Sequence, residues 1–424
     1  MRNTNSKIFL LILLGSLTAF GPLVTDMYLP SLPSMADYFG TQASMVQLGL
    51  TSSMIGLALG QLFFGPLSDW YGRRPPLLVA MSLFIVSTVC CIFSATIEGF
   101  IFFRLIQGIA GAGGIVVSRS IATDRFTGKE LAKAMAIIGA INGIAPVASP
   151  VLGGFLTDSI GWKGIFIVLL ILGVLLLFSN LHFKESLSVD NRKRGNLKSL
   201  VSSFGIVLKN RRYVYYVLQM GFAMGVLFAN ISSSPFIVQQ HYGFSAFEFS
   251  LFFGINALAI GLAAGLSVKF KNPEHAMFLG SVGMTMMSAV EFVILSNEYH
   301  FAVYEAVLFV LLFSMGLTFT ASTTLAMGII LPTSTTLALN LERQNSGTAS
   351  ALFGAAGFAF GGIVSPLVGL GDILSTTGLI FFVCSVCSLC FSVLVMNQTH
   401  TNLWGSFKCK MGPVARFVFL RREK

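Results

Sequence analysis

The sequence predicts an all-α integral membrane protein: twelve transmembrane helices in two pseudo-symmetric six-helix bundles. Three observations predict it. Of 424 residues, 54% are hydrophobic and only 10% charged, against roughly 25% charged in a soluble domain. Apolar runs of a length that crosses a hydrocarbon layer of roughly 30 Å recur along the chain. The basic residues gather in alternate loops, as cytoplasmic loops of membrane proteins do.

The runs fall near 8–29, 44–67, 77–96, 99–118, 134–157, 164–183, 213–238, 248–268, 276–296, 304–338, 346–370 and 376–396. They must be helices, because backbone amides in lipid need partners within the segment, and the runs lack the alternation of a barrel strand. The tenth exceeds one crossing, and Pro332 bends it or ends its membrane part. The first run extends past Ala19, which argues for a retained span and against a cleaved signal.

With both termini cytoplasmic, 25 of the 27 basic residues fall on the inner side, Lys163 lies outside and Arg104 sits within a span. The net charge of +10 is therefore a topology signal, and a nucleic-acid partner is not implied. Five of the six cysteines lie in predicted spans. Cys384, Cys387 and Cys390 have a metal-like spacing but no His beside them, so helix packing and no metal site is expected.

Residues 184–212 form the longest polar stretch between spans, with six spans on each side. The expected organisation is a bundle over 1–183, a cytoplasmic linker over 184–212, a second bundle over 213–396 and a basic tail over 397–424, disordered or lying on anionic lipid. Ser149-Pro150-Val151-Leu152-Gly153 returns as Ser365-Pro366-Leu367-Val368-Gly369. Gly60 and Gly65 have counterparts in Gly261 and Gly265. A duplicated transporter places its substrate site between the halves and rocks one against the other.

The loop after the second span reads Gly65-Pro66-Leu67-Ser68-Asp69-Trp70-Tyr71-Gly72-Arg73-Arg74-Pro75. Gly65 and Gly72 suit a tight helix exit and a turn, and Asp69 can pair with Arg73 or Arg74 or cap a neighbouring helix. A conformational latch and a plain topogenic loop both fit the spacing. The segment resembles motif A of the major facilitator superfamily, which implies that fold and a cytoplasmic gate in which Asp69 and Arg73 link the second and eleventh helices. Lys269-Phe270-Lys271-Asn272-Pro273 lacks the acid, so the second copy is degenerate.

The first span ends Asp26-Met27-Tyr28-Leu29-Pro30. An aspartate costs about 2.5–3.5 kcal/mol at a helix centre in the bilayer and less near the interface. The stretch resembles the Asp-Met-Tyr-Leu-Pro signature of Bcr/CflA-type drug:proton antiporters, which implies that Asp26 belongs to the proton-coupling site. An interfacial helix end is the alternative.

Arg104 lies inside the fourth span, in Arg104-Leu105-Ile106-Gln107-Gly108. Its charge persists, so it must face water, a carboxylate or other polar partners. This segment resembles motif B of the superfamily, whose Arg tunes the proton site, and Gln107 can share the cavity.

The fifth span holds Asn142, Gly143, Pro146, Ser149, Pro150, Gly153 and Gly154. Two prolines predict a bend, and the small residues let it pack closely. The set resembles motif C, the antiporter motif, with Ser149 where Gly is usual. Tyr28, Gln107, Asn142, Phe222, Phe228 and Asn256 are candidates for the substrate cavity, and Glu291 is an alternative proton site.

Together these resemblances imply a monomeric exporter of the bacterial cytoplasmic membrane. It would expel small, drug-like, hydrophobic or amphipathic compounds by alternating access and run on the proton motive force without a cofactor. A proton-coupled nutrient symporter of the same fold is the alternative, and a channel a more distant one. The loops hold no catalytic cluster or phosphate loop, so an enzyme is not expected.

Overall fold

Apolar runs in lipid become helices because each backbone donor must find its acceptor within the run. A computed structural model describes residues 5–192, 205, 208–267, 269, 270, 272–330 and 339–398. The side chains of 128, 129, 132, 133, 135, 136, 139, 140, 142, 143, 191, 323–330, 339–351 and 398 lie outside that description.

Helix α1 (Lys7–Asp26) starts at Ser6, whose Oγ accepts from the Phe9 N–H at 3.2 Å. It ends three residues short of the expected Leu29; Pro30 has no backbone N–H to donate to the Asp26 carbonyl four residues before it. Asp26 is thus the last residue of α1. The chain then makes a 3₁₀ turn (Leu29–Ser31) and a short helix (Leu32–Phe39), closed by Gly40 at φ +58°.

Helix α2 (Ala43–Tyr71) runs past the expected end at 67, so Gly65 lies inside it and makes no exit; the exit is Gly72, at φ +93°. Helices α3 (Arg74–Ile92) and α4 (Ile97–Arg125) follow. The 55-residue helical stretch Gly128–His182 contains two crossings, α5 (128–160) and α6 (162–182), divided at Gly161 with φ +71°. The backbone keeps helical dihedrals through Pro146 and Pro150 and leaves them at Gly161, in the gap between the fifth and sixth apolar runs.

The second half comprises α7 (Arg211–Phe236, extended by a π turn Ile237–His241), α8 (Ala246–Ser267), α9 (Pro273–Ser296), α10 (Phe301–Ile330), α11 (Leu339–Leu367) and α12 (Ile373–Gln398). With the division at Gly161 this makes twelve long helices among the described residues. Pro332, residues 193–204, 206 and 207 of the linker, and the tail beyond 398 lie outside the described residues.

Helices α1–α6 pack together, α2 on α4, α1 on α5, and α3 on α4 and α6. Helices α7–α12 repeat the plan, α9 on α10 and α12, and α7 on α10, α11 and α12. Two crossings join the bundles, α2 with α11 and α5 with α8. The end that carries Arg73 is the basic end. At the opposite, far end three hydrogen bonds tie the halves: Gln47 Nε2 to Ser232 O at 2.9 Å, Gln239 Nε2 to Pro30 O at 2.9 Å, and Phe247 N to Asp158 Oδ2 at 3.2 Å.

Candidate functional site

Asp26 closes α1, at the helix end where unpaired carbonyls already carry negative potential. Its residue surface is 9% exposed. The next residue, Met27, presses its carbonyl against α5 at Gly153: a Cβ built on that glycine would stand 1.7 Å from the oxygen. Gly154 faces the other way, and a Cβ there would come within 2.4 Å of Ser250 Oγ and 2.7 Å of Ala246 O, both on α8. Adjacent glycines of α5 therefore hold the end of α1 on one side and the other half-bundle on the other. No larger residue fits either place without moving a backbone. Ser149, one turn earlier, is fully buried and donates to the Ala145 carbonyl at 2.6 Å. The side chains of Asn142 and residue 143 are outside the described set.

Arg104 is fully buried in the first bundle. Its Nη1 donates to Gln107 Oε1 at 2.5 Å and its Nη2 to the Val24 carbonyl at 3.1 Å. Gln107 passes the chain on, Nε2 to Thr88 Oγ1 at 2.7 Å. The guanidinium lies 4.3 Å from the centre of the Tyr28 ring and 5.7 Å from that of Phe166. A cation on two aromatic faces keeps part of the stabilisation it loses on leaving water.

The sequence left water, a carboxylate or other polar groups open as partners of this arginine. Among the described residues Arg104 forms no ion pair with a carboxylate. It reaches Asp26 indirectly, by satisfying a terminal carbonyl of α1 two residues before the acid, which is where a cation best offsets the helix dipole.

The proposed cavity residues are not gathered in one place. Tyr28 and Gln107 are fully buried around Arg104. Phe222 packs between α11 and α12, edge-on to Phe360 at 4.9 Å and stacked on Phe391 at 5.8 Å. Phe228 lies over Gly361, 5.9 Å from Phe358. Asn256 donates to Glu305 at 2.9 Å within the second bundle. Aromatic rings on α7 find neighbours on the adjacent helices, and helical periodicity alone does not say which face meets the seam.

At the basic end Gly72 makes the turn that Asp69, Arg73 and Arg74 share. Its φ suits only glycine, and a Cβ would also strike Glu185 Oε2 at 2.6 Å. Asp69 pairs with Arg73 Nη1 at 2.5 Å, and Ser68 accepts from the same nitrogen at 2.9 Å. The stronger partner is Asp124 at the end of α4, bonded by Arg73 Nε at 2.8 Å and Nη2 at 3.3 Å. Burial works against the Arg73 charge, but Asp124 and Asp69 together outweigh it and hold the guanidinium above its usual range. Glu185 accepts the Arg73 and Arg74 backbone N–H groups at 2.9 and 3.0 Å, at the start of α3. The α11 side chains nearest the basic end lie outside the described residues. In the second half the corresponding end carries a different pair, Arg212 with Glu274 at 2.9 Å.

Sequence reasoning missed Asp124, Glu185 and Glu305. The first two are acids set among basic loop residues, a signal that was legible. Glu305 lies in the tenth apolar run, where the cost argument applied to Asp26 holds equally. Cys384 is buried and Cys390 exposed, so the cysteines of α12 do not converge, and no cluster of three or more His, Cys, Asp or Glu that could hold a metal occurs among the described residues.

The family model described as Major Facilitator Superfamily matches residues 14–366. A relative in Bacillus subtilis (strain 168), named uncharacterized MFS-type transporter YdgK, is 37% identical over 406 residues, covering 93% of this chain and 98% of its own. The bicyclomycin resistance protein homolog of Haemophilus influenzae is 28% identical over 375 residues, covering 87% and 90%. Among solved structures, a bacterial homolog of the human lysosomal transporter Spinster, inward-facing and unoccupied, superposes with TM-score 0.70 at 17% identity, covering 92% of this chain and 96% of that one.

Proposed function

The chain belongs to the major facilitator superfamily, and from that premise we propose that it exports small hydrophobic or amphipathic compounds in exchange for protons. It is a multi-pass membrane transporter and not an enzyme. In this reading the basic end and both termini are cytoplasmic, the membrane is the bacterial cytoplasmic one, and a monomer is the working unit.

One observation carries the proposal: Asp26 ends the helix whose next carbonyl rests on Gly153, while Gly154 rests on α8. Separating the far ends of α5 and α8 would disturb the glycine seat beside the acid, so opening and protonation are mechanically linked. A proton removes the burial cost of the Asp26 charge when the site closes. Arg104, tied to the Val24 carbonyl, positions the end of α1 beside the acid. Each proton descending 100 mV supplies about 2.3 kcal/mol, enough for a modest uphill substrate gradient.

The test is efflux by purified protein in proteoliposomes under an imposed pH gradient, with antibiotics and dyes as substrates. Gradient-driven transport by wild type and none by Asp26→Asn, at equal insertion, is the expected result. Undiminished transport by that variant would remove Asp26 from the coupling step.

A further inference from the structure

The second bundle contains a polar pocket that the proposed proton route leaves unused. Asn230 and Ser234 on α7, Asn256 on α8 and Glu305 on α10 line one small cavity with room for about one water-sized body. Three of the four are nearly inaccessible: Asn230 is 2% exposed, Ser234 3% and Asn256 4%. Their oxygens, Asn230 Oδ1, Ser234 Oγ and Asn256 Oδ1, have no hydrogen-bond partner. Leaving such an atom buried and unmatched costs about 1–3 kcal/mol, and here three face one space.

The Asn256 amide nitrogen donates to Glu305 at 2.9 Å, which orients that residue and holds the carboxylate at the pocket wall. Among the described residues no cation forms an ion pair with Glu305. Nearby Glu291 on α9 is fully buried with neither carboxylate oxygen hydrogen-bonded, a second acid in this half-bundle with no ion pair among the described residues.

We propose that Glu305, Asn256, Asn230 and Ser234 bind a small monovalent metal cation of the size and charge of Na⁺. The donor set is all oxygen, the choice of a hard cation. One carboxylate among neutral oxygens matches a single positive charge, whereas a divalent ion would call for more. The pocket excludes anything much larger than a water molecule. A proton would need only the carboxylate and would leave the three neutral oxygens unmatched. Because the ligands come from α7, α8 and α10, the ion would tie together three helices of the half-bundle that meets α5.

Thermal unfolding of the purified full-length protein, in NaCl against choline chloride at equal ionic strength and pH, tests this. The melting temperature should rise with Na⁺ and saturate, because a ligand bound only by the native state stabilises it by mass action. K⁺ should act at least several-fold more weakly. Glu305→Gln should abolish the dependence. Ser234→Ala, a milder change, should fold normally and move the half-saturating Na⁺ upward by about 10-fold, the lower end of what loss of one supporting ligand contact costs. Asp26→Asn should keep the full Na⁺ response, which separates this site from the coupling acid. A wild-type protein indifferent to Na⁺, a response matched by K⁺ or choline, or a full response in Glu305→Gln overturns the proposal, the first of these leaving the pocket to a bridging water.

Discussion

The two half-bundles share a six-helix plan and satisfy their interiors with opposite chemistry. In the first, a buried cation is the organising group: Arg104 joins α4 to α1 through the Val24 carbonyl and to α3 through Gln107 and Thr88, under the rings of Tyr28 and Phe166. In the second, the equivalent helices meet through a neutral amide. Gln219 on α7 donates to Ser281 on α9 at 3.3 Å and to Ser388 on α12 at 3.0 Å, and accepts from Ser322 on α10. The second half also keeps two acids, Glu291 and Glu305, with no cation paired to them among the described residues. Duplication preserved which helices touch, because that depends on small residues and apolar faces. It did not preserve charge, which the surroundings of each half stabilise separately.

The comparison breaks most completely at Asp26. If the first half holds the coupling acid, Asp26→Asn reduces proton-driven efflux in proteoliposomes to background, while Glu291→Gln leaves it measurable; the reverse outcome would move coupling to the second half. Next comes the glycine seat. Gly153→Val must push the Met27 carbonyl aside, at a cost of about 1–3 kcal/mol or more for overpacking, and should lower both the melting temperature and transport. Gly154→Val should instead spare the first bundle and raise passive dye leak through vesicles, because its clash is with α8.

Arg104→Ala leaves the Val24 carbonyl and Gln107 Oε1 without a donor, about 1–3 kcal/mol each. Coupling should fall while the second half is unaffected, as paired cysteine-accessibility measurements in α7 would show. Arg104→Lys should rescue little, since an ammonium cannot supply the fork and the flat face together. At the basic end Asp124→Asn should shift the balance of conformations more than Asp69→Asn. Asp124 holds Arg73 at two nitrogens with 14% of its side chain exposed, whereas Asp69 meets Arg73 at Nη1 with 28% exposed. Double electron–electron resonance distances across the basic end would rank them.

The smallest effect concerns Asp372, which caps α12 by accepting from the Ser375 N–H at 2.9 Å. That backbone bond, with the Ser375 side chain, holds its carboxyl below the usual range. A depressed carboxylate adds stability above its ordinary titration range, lost as pH falls through the lowered value. Asp372→Asn should therefore make little difference at acid pH and a slight one near neutrality, read by melting in detergent.

Much of this is legible in the sequence. The apolar run from about residue 8 predicts where α1 starts, and Asp26-Met27-Tyr28-Leu29-Pro30 marks a helix end with an acid on it. What misled was sidedness. Phe222 and Phe228 lie on α7 at plausible cavity positions, yet their neighbours are Phe360, Phe391 and Gly361, and a period of 3.6 names a face without naming what it meets. Gly161 turns the chain between the fifth and sixth spans, where the gap between two apolar runs already placed a connection, and Pro146 and Pro150 lie within the helix before it.

Sequence alone determined the all-helical membrane fold class and the identity of the charged residues that a membrane tolerates only for a reason, because hydropathy and burial cost act on each residue wherever it ends up. Tertiary structure alone decided the partners: that Arg104 serves a carbonyl and two rings instead of a carboxylate, that Arg73 leans on Asp124, and that Gly153 and Gly154 face different halves. Those outcomes depend on distances between helices far apart in the chain, and no local pattern carries them.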